Sequence, residues 1–463
     1  MLKPNLRSLT SMKCCSPTQL FWGICLITVL GSGAANAQKN WPQFRGPGSA
    51  GVSRESGLPD RWSRTKNIVW RTELPGLGWS SPIVWEDRIF ITTVISERQE
   101  EETPIGIQPN IGDRGKPSKN RRRWVVFCFS LEKGDLIWER EVHAGFPDWP
   151  RHVKNSYASE TPCADGQRVY AYFGNVGLFA FSMDGTPVWE RHWDRYKTRG
   201  NWGSAASPIL HQGKLYLVND NEEHSFIEAM DCLSGNTLWK TDRKECSNWS
   251  TPFIWENQQR TEIVTPGTGK TRSYDLAGNQ LWEFSGISSI TVPTPFSGHD
   301  LVYVGSGFNG SRLRPLYAIR EGASGDISLA KGETSNRFIA WRQPKAAAYN
   351  VSPILLGDQI YGLLDRGTLA SWDARTGEEI YPFQRIDPKA KAFTVSPWAY
   401  DGKIFCLSEN GDTFVIQAGP DMKVLAKNSL GEMCMSSPAL VPSALILRTT
   451  EALYRIGESA SLE

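Results

Sequence analysis

From about residue 68 onward the chain alternates apolar and polar positions in short runs, and helical spacing is essentially missing. Period-two alternation broken by Gly, Asp and Asn predicts short strands joined by tight turns. Two landmarks order these strands. The first is a hydroxyl residue, a proline and then an alternating run: Ser81-Pro82, Thr161-Pro162, Ser207-Pro208, Thr251-Pro252, Thr294-Pro295, Ser352-Pro353, Ser396-Pro397 and Ser437-Pro438. Five of the seven intervals between successive prolines lie within 41–46 residues, and the two long ones hold insertions. The second is a Gly followed four residues later by an aromatic, at Gly134/Trp138, Gly185/Trp189, Gly235/Trp239, Gly278/Trp282 and Gly377/Tyr381. Asp bonds the turn backbone and Gly supplies positive φ, which together predict a bulged hairpin. An aromatic at one offset of each last strand is expected to pack against the neighbouring unit.

Between the landmarks lies a middle strand, as in Lys214–Val218, Leu301–Val304 and Lys403–Leu407. Four short strands in roughly 44 residues are the signature of a propeller blade, so the fold class is all-β, an eight-bladed β-propeller of four-stranded blades. The last unit, from Pro438 to Ile456, is too short for four strands. Asn67-Ile68-Val69-Trp70 is expected to complete it, closing the ring and removing exposed edges. A seven-bladed ring with an extra hairpin is the alternative. Two insertions interrupt the pattern. Residues 96–123 are polar and charged and read as a solvated loop or a docking element, whereas residues 307–336 are Gly/Ser-rich and read as an excursion of the fifth blade.

The first residues have a different pattern. Lys3, Arg7 and Lys13 precede an apolar run, Leu20–Leu30, and then Ala35-Asn36-Ala37. The run falls well short of the roughly 20 residues needed to span a bilayer, so it reads as a secretory signal peptide cleaved after Ala37. The expected organisation is a signal peptide over 1–37, a lead-in over 38–66 and the propeller over 67–463, in an exported protein, periplasmic or secreted. Of 463 residues, 51 are Lys or Arg and 49 Asp or Glu; without the leader the formal charge is −1. That balance removes the electrostatic reason to expect nucleic acid as partner. Six cysteines remain after the leader, enough for three bridges, yet most lie in expected strands where a buried free thiol is the ordinary alternative; no CxxC occurs. The 19 tryptophans are unusual and largely follow the repeat.

The D-x-x-(T/S)-G-x-x-x-W string, repeated around eight units from about residue 62 to the C-terminus, resembles the pyrroloquinoline-quinone (PQQ) repeat. That repeat occurs in quinoprotein dehydrogenases and in the non-enzymatic propeller of the outer-membrane β-barrel assembly machinery. Trp41-Pro42-Gln43-Phe44-Arg45-Gly46-Pro47-Gly48 also resembles the start of exported bacterial PQQ-like repeat proteins. The resemblance implies the fold and leaves function open. In the dehydrogenases it would imply Ca²⁺ held by Glu and Asn, an Asp base, a stacking Trp and often adjacent cysteines. Here the only adjacent pair, Cys14-Cys15, falls in the leader, and the cysteine that lipidates the assembly propeller is missing.

Catalytic sets are not evident. Asn219-Asp220, Glu160 and Asp365-Arg366 are conceivable ligands or bases, but such residues in strand-end loops are usually turn formers. The six histidines are scattered, no GxSxG occurs, and Gly305–Gly310 and Gly267–Lys270 lack a phosphate loop's strand–loop–helix setting. No catalytic residue and no metal site is assigned. The residues just before each innermost strand should gather around the central channel, so Trp79, Tyr157, Trp202, Trp249, Tyr349 and Phe393 are candidate ligand-binding residues. The expectation is a monomeric, non-enzymatic binding or scaffold module with no membrane span. Its partner would be a protein or another envelope ligand, and no cofactor is expected. The alternatives are a PQQ-dependent oxidoreductase, with PQQ and Ca²⁺, and a polysaccharide-binding propeller.

Overall fold

The computed structural model describes residues 39–98, 102–108 and 118–458. The leader expected over 1–37 lies outside the described residues. Within them eight sheets follow one another along the chain, each with four antiparallel strands and one with a fifth, together with two 3₁₀ turns and no α-helix. The first blade comprises Ile83–Trp85, Arg88–Ser96, Arg122–Ser130 and Leu136–Gly145. Each innermost strand starts at the residue after its Ser/Thr-Pro proline, where the missing N–H costs the ladder nothing. The eighth blade joins Ala439–Val441, Ala444–Arg448 and Ala452–Ile456 to Ile68–Glu73, with Glu73 opposite Ala452 and Ile68 opposite Ile456. The innermost strand of that blade lies beside Ile83–Trp85. The count is eight, and the two ends of the ring share one sheet.

The repeated hydroxyls link neighbouring blades at five of the eight seams. Ser81 N–H donates to Thr161 Oγ1 (3.0 Å), Thr161 to Ser207 Oγ (2.9 Å), Ser207 to Thr251 Oγ1 (3.1 Å), Thr294 to Ser352 Oγ (2.9 Å) and Ser352 to Ser396 Oγ (3.0 Å). Five of the eight motifs therefore satisfy a buried backbone donor of the blade before them, a need that alanine could not meet.

The Gly and Trp landmarks are halves of one contact. Trp138 of the first blade lies on Gly185 in the turn of the second; a Cβ there would come within 2.7 Å of the indole, and its φ is +84°. The indole N–H donates to Met183 O (3.0 Å). Trp189 with Gly235, Trp239 with Gly278, Trp341 with Gly377 and Trp70 with Gly134 repeat the arrangement. Beside each of Trp138, Trp189, Trp239 and Trp341 the strand register shifts by one residue, the expected bulge. Trp282 departs from the pattern and donates to Glu262 Oε2 (2.6 Å). Its outer strand, Gln280–Ser285, is instead covered by Gly325–Asp326, a parallel fifth strand that the second insertion supplies. That excursion is ordered and serves the fourth blade rather than its own.

The lead-in crosses the ring. Trp41 pairs with Val84, Pro42 O accepts from Ala164 N (2.9 Å), and Ser53 N donates to Ala399 O (2.9 Å). Arg45, 2% exposed, donates to the carbonyls of Ser49, Ser352 and Pro353. Burial lowers its pKa to about 10, and carbonyl dipoles stand in for a carboxylate. All six cysteines in the described residues are free thiols, five of them buried. No helix among the described residues is long and apolar enough to cross a membrane.

Candidate functional site

The inner strands run from one mouth of the channel to the other, so position relative to the hydroxyl ring tells the mouths apart. Val84, Ala164, Pro353 and Ala399 follow the ring residues of their strands, and the lead-in touches all four, closing that mouth with Phe44 in the wall of the channel. The loops before the strands surround the other mouth and a cavity of about 340 Å³.

Four of the six aromatic candidates line this cavity: Trp79, Trp202, Trp249 and Tyr349. Trp202 meets Trp249 at 5.7 Å between ring centroids with a 36° tilt, and His152 edge-on at 5.5 Å. The rings are held from behind, Trp79 Nε1 donating to Lys154 O (3.0 Å) and Trp249 Nε1 to Gly203 O (2.7 Å). The Tyr349 loop is fixed by Asp365, whose two oxygens accept the N–H groups of Tyr349 (2.8 Å) and Asn350 (2.9 Å). The other two candidates do not reach the channel. Tyr157 donates through its hydroxyl to Trp149 O (3.0 Å), lies under Arg122 and Arg151, and lines a side cleft of about 80 Å³. Phe393, 1% exposed, is turned into the hydrophobic core against Phe414. A position ahead of the inner strand fixes which mouth a residue is near; the loop's own path decides where its side chain goes.

The polar residues considered from sequence have structural partners. Asp220 pairs bidentately with Arg243 (2.7 and 3.1 Å), both fully buried, and Arg243 also donates to Thr265 Oγ1. Glu160 accepts from Ser204 Oγ (2.5 Å) and lines the side cleft with Asn219. Burial raises its pKa to about 7. Arg366 is exposed and joins Arg385, Lys391 and Ile107 around a hollow that adjoins the channel cavity through Ile107. No cluster of three or more His, Cys, Asp or Glu able to hold a metal occurs among the described residues.

Charged groups that sequence patterns did not reveal lie at the open mouth. Lys154 Nζ bonds Glu409 Oε2 at 2.5 Å, the side chains 12% and 2% exposed. The same carboxylate accepts Gly106 N (2.7 Å) and Thr394 Oγ1 (2.6 Å). Burial lowers the Lys154 pKa, and Glu409 acts in the opposite direction. Burial, with repulsion from Lys154 and Arg151, lowers His152 to about 4, so the imidazole is neutral near pH 7. Gly106, Ile107 and Gln108 belong to the charged insertion, so this part of it lies over the channel. Glu409 left one trace in the sequence: it stands 44 residues after Asp365, one repeat interval, in the equivalent hairpin.

The family model described as outer membrane protein assembly factor BamB matches residues 61–242 and 122–381. The chain belongs to this family. Among solved structures, BamB from Moraxella catarrhalis is 11% identical with a TM-score of 0.51, covering 76% of this chain and 99% of its own. The europium-containing methanol dehydrogenase is 9% identical (TM-score 0.55; 90% and 91% covered). The quinohemoprotein alcohol dehydrogenase of Comamonas testosteroni is 10% identical (TM-score 0.58; 93% and 82% covered). At such identities the likeness is one of fold. No curated protein matches the sequence.

Proposed function

We propose that this family member is an exported, non-enzymatic binding module whose ligand, a protein of the cell envelope, enters the open mouth of the channel. The carrying observation is the cavity itself: six Phe, Trp and Tyr side chains, four of them the expected candidates, around a space whose charges, Lys154 and Glu409, neutralise each other. Aromatic rings beside a band of uncharged hydroxyls and amides, the eight Ser/Thr of the inner-strand motifs among them, suit recognition of an uncharged, partly apolar ligand. The assembly-factor description of the family supports a protein ligand.

The donor set does not fit PQQ with Ca²⁺. A tricarboxylate in this cavity would meet one cation, Lys154, already paired, and Ca²⁺ would find one carboxylate, already accepting three hydrogen bonds. No step through that cofactor is derived. The test immobilises the purified protein against envelope extract beside a Trp202→Ala/Tyr349→Ala variant. A protein retained by the first and lost from the second, at equal melting temperature, is the expected result. Equal retention would overturn the reading, as would saturable PQQ binding with substrate-dependent dye reduction.

A further inference from the structure

The charged insertion contains one uncharged stretch, residues 103–112, between Glu97–Glu102 and the later run of Asp, Arg and Lys; Thr103-Pro104-Ile105-Gly106-Ile107-Gln108 are its described residues. Of these described residues, Gly106, Ile107 and Gln108 are at the channel. Ile107 and Gln108 line the cavity, while Ile105, 53% exposed, faces away. None of its residues belongs to a strand. Its main-chain attachment is Gly106 N–H to Glu409, the single carboxylate lining the cavity. Pro104 restricts its neighbour Thr103 to extended conformations. Gly106 has φ of +82°, yet a Cβ there would meet nothing closer than 3.9 Å, so the backbone turn and not lack of space calls for glycine.

We propose that the channel mouth is a groove for an extended, uncharged peptide and that residues 103–108 occupy it as an internal stand-in. The inference rests on the channel-binding reading above and names its ligand class. A partner segment would place a backbone N–H on Glu409 and a branched apolar side chain where Ile107 lies, displacing the stand-in. Tethering makes the internal segment a strong competitor, with an effective concentration in the millimolar range for a short linker. Two features select against basic peptides: Lys154 already satisfies Glu409, and Arg366, Arg385 and Lys391 line a hollow together with Ile107.

The test uses the labelled peptide Thr-Pro-Ile-Gly-Ile-Gln and fluorescence anisotropy on the intact protein and on an Ile105→Ser/Ile107→Ser variant. The variant is expected to bind at least tenfold more tightly than the intact protein. Adding Glu409→Gln to it should weaken binding about tenfold, and a peptide with Lys in place of the second Ile should not bind, because Arg366, Arg385 and Lys391 surround the hollow that Ile107 lines. In the intact protein, saturating peptide should speed hydrogen exchange at 103–108. Equal affinity for both proteins, or no saturable binding to the variant up to about 1 mM, overturns the proposal. If the peptide fails while Trp202→Ala/Tyr349→Ala still abolishes partner capture, the stand-in falls and the channel reading survives. If both fail, the channel reading falls too.

Discussion

Glu409→Ala removes one partner of a buried ion pair and leaves the Lys154 ammonium, 12% exposed, without its counter-charge. It also strips Thr394 Oγ1 and Gly106 N of their acceptor. Breaking such a pair from one side costs about 3–5 kcal/mol, more than the pair contributes net, because the remaining charge stays desolvated. Unfolding entropy of about 2 cal/mol/K per residue makes that a fall of roughly 3–5 °C in a chain of this length. The deficit depends on pH. Burial already lowers the Lys154 pKa, and losing Glu409 lowers it further. Between that value and the ordinary 10.5 the unfolded chain binds more protons, so stability rises with pH and the deficit shrinks on the alkaline side. Scanning calorimetry at pH 7 and pH 9.5 measures both effects. Lys154→Met in the same chain should recover most of the loss. A deficit independent of pH, or a double variant no more stable than Glu409→Ala, refutes the reasoning.

Three further outcomes follow from the same contacts. Thr161→Val leaves the buried Ser81 N–H without its side-chain acceptor and should cost about 1–3 kcal/mol. Thr294→Val removes a buried hydroxyl that has no partner and should be neutral or stabilising; urea titration separates the two. Gly185→Ala forces a Cβ into the Trp138 ring at positive φ and should cost at least 2 kcal/mol, whereas Gly213→Ala, also at positive φ but in open space, should cost less. For Glu160, the folded pKa of about 7 exceeds the usual 4.5, so the folded state holds the extra proton. Stability should fall as pH rises from about 4.5 to 7, by at most about 3 kcal/mol, and Glu160→Gln should remove that slope in calorimetry. An unchanged slope would place the titration elsewhere.

The sequence by itself determined the propeller, because its repeat encodes contacts made in every blade. A hydroxyl before proline and a glycine four residues before tryptophan recur at the blade interval, so blade number, strand order and the structural use of tryptophan are legible without coordinates. The pairing across units was not. Gly185 and Trp189 share one string, yet each serves a different neighbour, Trp138 before it and Gly235 after it. Trp282 shows the limit: its string matches the others, but the insertion over its strand sends the indole to Glu262. The open mouth was legible only in part. Trp79, Trp202, Trp249 and Tyr349 reach the channel from the expected position, whereas Phe393 from the same position turns into the core and Tyr157 into a side cleft. Lys154, Glu409 and Gly106 come from loops of unequal length in three blades, with 303 residues between Gly106 and Glu409. Periodicity reports what repeats in every unit. The site depends on what differs among them, and only closure of the ring brings those differences together around one channel.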